Sequence, residues 1–250
     1  MIELSDQPFV IVAGFVATEK KWLNFEGKWR QALRDFGLGE VAHATDIEHS
    51  DLLSRSQKDE IFRVLARIAK QNTTAAFSIA IDMDAYHEIN DKYAFDEFIG
   101  TPHALAARTF AKEIRTWRKT IRGKYELMVF YEKGGEHIGD MKEVFARDRL
   151  PDPQPVEKKH PAVQAADLFG WLYAFYLRNR GKIDSIDTIR NKPVVFGGLY
   201  KKKDLLALAR NTKVPLRKRL GANSHIAFHT APKRSRKRRV KRAAEAILQS

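Results

Sequence analysis

The sequence contains no cysteine among its 250 residues. Disulfide bonds, thiolate zinc sites and cysteine nucleophiles are therefore excluded. It also has no uncharged apolar run approaching the length of a membrane span, so we expect no transmembrane helix. The first residues, MIELSDQPFVIVAG, lack the basic start and the small-residue cleavage site of a signal peptide. Together these absences predict a soluble, cytoplasmic protein.

The first 200 residues carry no net charge, although the whole chain carries a net charge of +14. Residues 201–250 hold 16 Lys and Arg against two acids, and residues 233–242 have eight Lys or Arg in ten positions. Such a run releases counterions from phosphates, which favours sequence-independent binding of nucleic acid. A solvated tail that aids solubility is the alternative. The predicted nucleic-acid-binding residues are Lys233, Arg234, Arg236, Lys237, Arg238 and Arg239.

Apolar periodicity divides the first 180 residues into strands and helices in approximate alternation. Strands are predicted over 8–17, 74–86 and 125–135, and helices over 22–36, from about 56 onward, and over 107–121, 139–149 and 160–180. Residues 40–49 read as a polar segment or a short strand. Alternation of this kind predicts an α/β domain over residues 1–180. An extension over 181–232 and a flexible basic tail over 233–250 complete the predicted organisation.

Acidic residues follow two of the predicted strands. Asp82 and Asp84 end one strand and Glu132 ends another, where ligand sites of open α/β sheets gather. The helix over 160–180 adds Asp167 in an otherwise apolar stretch, and His160 and Gln164 share its face. A carboxylate left unpaired in apolar surroundings is strongly unfavourable, so we expect Asp167 to have a partner or a ligand.

Converging carboxylates would form an oxygen-rich site suited to Mg²⁺ or Mn²⁺, which phosphodiester hydrolysis commonly uses. Each acid also has a structural alternative. Asp167 can interact with a helix dipole, Asp82 and Asp84 can make turn or helix-capping contacts, and Glu132 can be an ordinary polar strand end. His43 can likewise be an ordinary surface histidine.

Four sequence blocks resemble a known family. These are FVIVAGFVATEKKWLNFEGKW, HATDI, VFYEKGG and KKHPAVQAADLFGWLYAFY, in that order over residues 8–180. They are similar to the bacterial domain-of-unknown-function family numbered 3800, for which a ribonuclease H-like fold is expected. The resemblance implies a mixed sheet flanked by helices, followed here by the basic extension. It also implies that Glu132 and Asp167 bind metal and that His43 and Asp46 lie close to the same pocket.

The chain departs from the family pattern at its start. Members usually open with a strand that ends in an Asp-Glu-Ser-Gly-like motif, whereas this sequence begins with MIELSDQPFV, directly before the implied second strand. We expect a truncated reading frame, a lost first strand or a degenerate member. A missing central strand would leave an open sheet edge.

These observations give two hypotheses about function. The first is a Mg²⁺- or Mn²⁺-dependent nuclease with Glu132, Asp167, His43 and Asp46 as catalytic residues and Glu132, Asp167 and Asp82 as metal ligands. His43 or His160 would transfer protons. The second is a non-catalytic module that binds nucleic acid or a partner, for example as a component of a defence or mobile-element system. Neither hypothesis includes a membrane.

Overall fold

A computed structural model describes residues 8–121, 126–134, 138–179 and 194–217. The strands are β1 (Phe9–Val16), β2 (Ala75–Asp82), β3 (Phe130–Glu132), β4 (Gln154–Val156) and β5 (Val194–Tyr200). The helices are α1 (Glu19–Asp35), α2 (Ala44–His49), α3 (Arg55–Asn72), α4 (Met83–Lys92), α5 (Phe95–Phe98), α6 (Pro102–Thr120), α7 (Ile138–Arg147), α8 (Pro161–Arg178) and α9 (Lys202–Asn211). The α/β class predicted from the sequence is confirmed.

The main sheet is small and mixed. β2 lies in its centre, antiparallel to β1 and parallel to β5, and β3 and β4 form a separate parallel pair. All residues of β2 up to Ile81 are buried, whereas β1 is half-exposed along most of its length. In the described part of the chain β1 is thus an edge strand. The finer prediction of a ribonuclease H-like topology stays a prediction.

Helices cover both faces of β1. Gly170 of α8 approaches Ala13, and Phe110 of α6 approaches Gly14. Because consecutive strand residues point to opposite faces, α8 and α6 lie on opposite sides of the sheet. The α8 side also holds α1 and α3, whose Trp29 and Leu65 are fully buried with the apolar residues of α8. This packing brings the polar side chains of α8 next to α1 and to the chain that follows it.

Local sequence explains how the three long helices on the α8 side, α1, α3 and α8, begin. The N-cap Thr18 accepts a hydrogen bond from the Lys21 backbone, and Ser54 forms a capping box with Gln57. α8 begins with Pro161 after the N-cap His160, where the missing proline N–H is harmless. The helix predicted over 160–180 is confirmed over Pro161–Arg178.

Three segments differ from the sequence-based expectation. Residues 44–49 form α2, not a strand, and β2 ends at Asp82, so that Asp84 lies in the first turn of α4. The strand predicted over 125–135 is limited to Phe130–Glu132 among the described residues. The predicted basic tail, with its six nucleic-acid-binding residues, lies outside the described residues.

Candidate functional site

Gln164 holds the chain segment that follows α1. Its side chain is 2 % exposed and its Oε1 accepts hydrogen bonds from Trp29 Nε1 at 3.0 Å and from the Ala42 N–H at 2.9 Å. Its Nε2 donates to the Glu40 carbonyl at 2.9 Å. Both lone-pair directions of the amide oxygen and one amide hydrogen are thereby used. Gln164 fixes residues 40–42 on α8 and so determines where the next residues lie.

Asp167, one turn further along α8, meets the residues that follow this segment. Its Oδ2 accepts a hydrogen bond from the Ala44 N–H at 3.3 Å, and its Oδ1 lies 3.7 Å from His43 Nε2. Ala44 is the first residue of α2, so the carboxylate caps that helix from outside. The side chain is 33 % exposed. Asp167 is therefore a partnered, partly accessible carboxylate, and not a buried charge.

His43 lies between two carboxylates. Its Nε2 faces Asp167, and its Nδ1 lies 3.9 Å from Asp46 Oδ1. The imidazole is 25 % exposed, and its Nδ1 makes no hydrogen bond within the part of the chain that the structure describes. A histidine oriented by a carboxylate and open to solvent has the chemistry of a general acid or base. The structure thus brings together three of the predicted catalytic residues, His43, Asp46 and Asp167.

These three residues do not surround a common point. The two ring nitrogens of an imidazole point to opposite sides, so Asp46 and Asp167 lie on either side of His43. Among the described residues, no three His, Asp or Glu side chains are grouped so as to hold a metal ion. The arrangement is a carboxylate–imidazole–carboxylate row, which suits proton transfer better than a protein-only metal cage.

Among the described residues, no hydrogen bond or ion pair joins either of the other two predicted metal ligands to Asp167. Glu132 ends β3, where it is half-buried, and β3 packs on α8. Asp82 is the N-cap of α4, and its Oδ1 accepts the Ala85 N–H at 3.0 Å. It pairs with Phe9 at the start of β1. The observed bond of Asp82 is thus the helix-capping contact that the sequence offered as its structural alternative.

A second histidine–carboxylate pair lies at the start of α8. His160 Nε2 is 3.7 Å from Glu26 Oε1 of α1, and the His160 ring stacks on Phe130 with centroids 5.8 Å apart. His160 also lines an open groove of about 420 Å³, whose other lining residues are Arg30, Glu40, Pro155, Val156, Glu157 and Lys159. Glu157 binds Lys133 at 2.9 Å, and this hydrogen bond raises the pKa of the Lys133 ammonium.

Sequence reasoning missed the contributions of Glu26 and Phe130. Glu26 lies on the polar side of an amphipathic helix, where it resembles any surface acid. Phe130 belongs to an apolar run whose pattern indicates only a buried strand, although 41 % of its surface is exposed. No local signal distinguishes either residue, because both acquire their neighbours from α8 and β4, which are distant in sequence.

Comparison with family models, with curated proteins and with solved structures finds no match to this chain. The resemblance to the domain-of-unknown-function family therefore stays a sequence-based prediction. None of the described helices is both long enough and apolar enough to cross a membrane.

Proposed function

We propose that this protein hydrolyses phosphodiester bonds of nucleic acid, with His43 and Asp167 at the reacting centre. The observation that carries the proposal is their pairing, at 3.7 Å, with both side chains partly open to solvent. The pair is held by contacts outside itself, because Gln164 anchors residues 40–42 and Asp167 binds the Ala44 N–H. Such a fixed orientation is what a positioned acid or base requires.

Hydrolysis adds a water oxygen to phosphorus and breaks one phosphorus–oxygen ester bond. The attacking water loses a proton, and the departing oxygen gains one. His43 would accept or supply that proton at Nε2, and Asp167 would stabilise the imidazolium form. A proton-transfer group of this kind contributes roughly 10²–10⁴-fold to a reaction rate.

The proposal includes a divalent cation, Mg²⁺ or Mn²⁺, because the sequence predicts acidic metal ligands. Mg²⁺ commonly binds through one or two carboxylates and completes its shell with water and substrate phosphate. Asp167, whose side chain is 33 % exposed, is the carboxylate of this site that would hold it, with Glu132 as the second ligand that the resemblance implies. Bound there, the ion would supply charge stabilisation at the phosphate.

The basic run at 233–242 supports nucleic acid as the substrate class. Its eight Lys and Arg would neutralise backbone phosphates and keep a substrate close to the domain. The described domain carries further basic residues near the site, Arg30 and Lys159, in the groove beside His160.

The alternative is a non-catalytic module that binds nucleic acid or a partner. It is favoured by one specific observation, the hydrogen bond from the Ala44 N–H to Asp167 Oδ2. That bond gives the carboxylate a purely structural task, which is to start α2.

The variant Asp167→Asn separates the two functions. An asparagine oxygen can still accept the Ala44 N–H, so we expect an unchanged melting temperature. Cleavage of labelled DNA or RNA in the presence of Mg²⁺ should fall by roughly 10²–10⁴-fold. The matched control is Asp59→Asn, an exposed acid of α3 that binds Arg55, and it should cleave like the wild type.

If Asp167→Asn cleaved at the wild-type rate, the assignment of the site would be contradicted. A wild-type protein that binds nucleic acid but cleaves neither DNA nor RNA would favour the non-catalytic module.

A further inference from the structure

An exposed aromatic ring lies beside the groove at the start of α8, where it stacks on the lining residue His160. Phe130 of β3 and His160 stack with an interplanar angle of 21°, and Phe130 remains 41 % exposed. A large apolar ring exposed beside polar side chains is a frequent element of binding sites. Every nucleobase has a π-face, so such a ring is a suitable stacking platform for an unpaired base of any sequence.

The charges of the groove are mixed. Arg30 and Lys159 provide donors, while Glu40 and Glu157 provide acceptors, and Lys133 is bound to Glu157. The backbones of a single strand and of a duplex are both negatively charged, so the two carboxylates favour neither backbone. The pairing edges of the bases, however, are free only in an unpaired strand. The edges of bases offer amino donors to carboxylates and ring or carbonyl acceptors to Arg and Lys.

The groove is connected to the proposed reacting centre. His160 and Asp167 lie seven residues apart on one face of α8, which is about 10 Å along the helix axis. Glu40 lines the groove, and the same segment, fixed by Gln164, continues directly to His43. A stacked strand rises about 3.4 Å per nucleotide, so this span corresponds to about three nucleotides.

The volume of the groove also fits a ring-shaped ligand group. At about 420 Å³ it lies within the range of pockets that enclose small organic groups. Its apolar lining comes from Pro155 and Val156 of β4, next to the polar side chains. Together the exposed ring beside the groove, the mixed charges and the volume suit the binding of a base.

We propose that this groove binds the bases of a single-stranded nucleic acid, with one base stacked on Phe130, and so makes an unpaired strand the preferred substrate. The inference rests on the proposed function, since it gives that site its substrate class. It does not include the basic run at 233–242, which would contact DNA or RNA of either form through phosphates alone.

The test is the affinity of the full-length chain for labelled nucleic acid in EDTA, measured by fluorescence anisotropy. The probes are thymidine and uridine oligonucleotides of about 12 nucleotides, within the range that single-strand sites span, and a duplex of the same length. Phe130→Ala should weaken single-strand binding by about 5- to 150-fold, the range for loss of one stacked base. Duplex binding should be unchanged.

Two further variants identify the cause of the loss. Phe130→Trp keeps an aromatic face and should bind the single strand like the wild type, whereas Phe130→Leu keeps only apolar bulk and should lose affinity. Leu52→Ala is the matched control, because Leu52 is 94 % exposed and does not line the groove. It should bind both probes like the wild type.

The inference holds if at least one of the two single-stranded probes shows this pattern. It is overturned if the wild type binds neither, if Phe130→Ala binds both like the wild type, or if the single strand and the duplex weaken equally. Since no cleavage occurs in EDTA-treated samples of a metal-dependent enzyme, this result is independent of the cleavage assay. An inactive wild type would contradict the hydrolase and leave the Phe130 result readable.

Discussion

Asp82 and Asp167 look alike in the sequence but have different surroundings in the structure. Each accepts a hydrogen bond from a backbone N–H at the start of a helix. Asp82 does so within its own turn, for Ala85 three residues further on. Asp167 does so for Ala44, which is 123 residues away, and the contact brings His43 to its other oxygen. A capping contact within one turn uses the carboxylate for its own helix alone. A capping contact between distant segments also brings a further residue, here His43, to the carboxylate.

Gln164 accounts for the different surroundings of Asp167 and Asp82. It lies between His160 and Asp167 on α8 and connects α8 both to Trp29 and to the segment before His43. The Asp82 region contains no comparable tether in the described residues, since its cap needs only the local backbone. The two regions should therefore respond differently to substitution.

The largest loss of stability is expected at Gln164→Leu. The leucine would leave Trp29 Nε1 and the Ala42 N–H without their partner in a buried environment, and it would also remove the partly buried bond to the Glu40 carbonyl. Unpaired buried groups cost about 1–3 kcal/mol each, so the two buried groups should lower the free energy of unfolding by about 2–6 kcal/mol. Denaturant unfolding followed by circular dichroism measures this change.

Gln31→Leu is the control for that substitution, because Gln31 is exposed on α1 and bonds only to Asp35 and Arg34 among its described contacts. It should change the unfolding free energy by less than about 0.5 kcal/mol. Equal losses in the two variants would mean that Gln164 does not tether the segment.

A smaller loss is expected at Asp82→Ala. Removal of an N-cap side chain lowers the free energy of unfolding by about 0.5–2 kcal/mol. Asp82→Asn should be nearly as stable as the wild type, because asparagine caps as well as aspartate. The same unfolding measurement compares the two variants. If Asp82→Asn were as unstable as Asp82→Ala, the role of Asp82 would depend on its charge and not on capping.

Much of the fold could be predicted because its long elements carry strong periodicity. α1, α3, α6 and α8 repeat their apolar residues at helical spacing, and β1 is a continuous apolar run. α2 could not be predicted, because six residues contain little periodicity and its first N–H is capped from α8. β4, with the sequence Gln-Pro-Val, is likewise a strand only because β3 lies beside it.

The site could be predicted only in part. The stripe of His160, Gln164 and Asp167 follows from helical spacing alone, and its partners His43 and Asp46 were expected from the family resemblance. Sequence spacing does not show that Asp82 caps its own helix, since capping and metal-binding aspartates have the same local sequence. Glu26 and Phe130 reach His160 through tertiary packing, which a single sequence does not specify.

A double-mutant cycle of His43→Ala and Asp167→Asn tests most directly the claim that the two residues act together. The measured quantity is the rate of cleavage of a labelled single-stranded oligonucleotide by the wild type, both single variants and the double variant. If the residues form one functional unit, each single variant should lose roughly 10²–10⁴-fold and the double variant no more than the worse single variant. Losses that multiply, or cleavage unaffected by either substitution, would contradict the account.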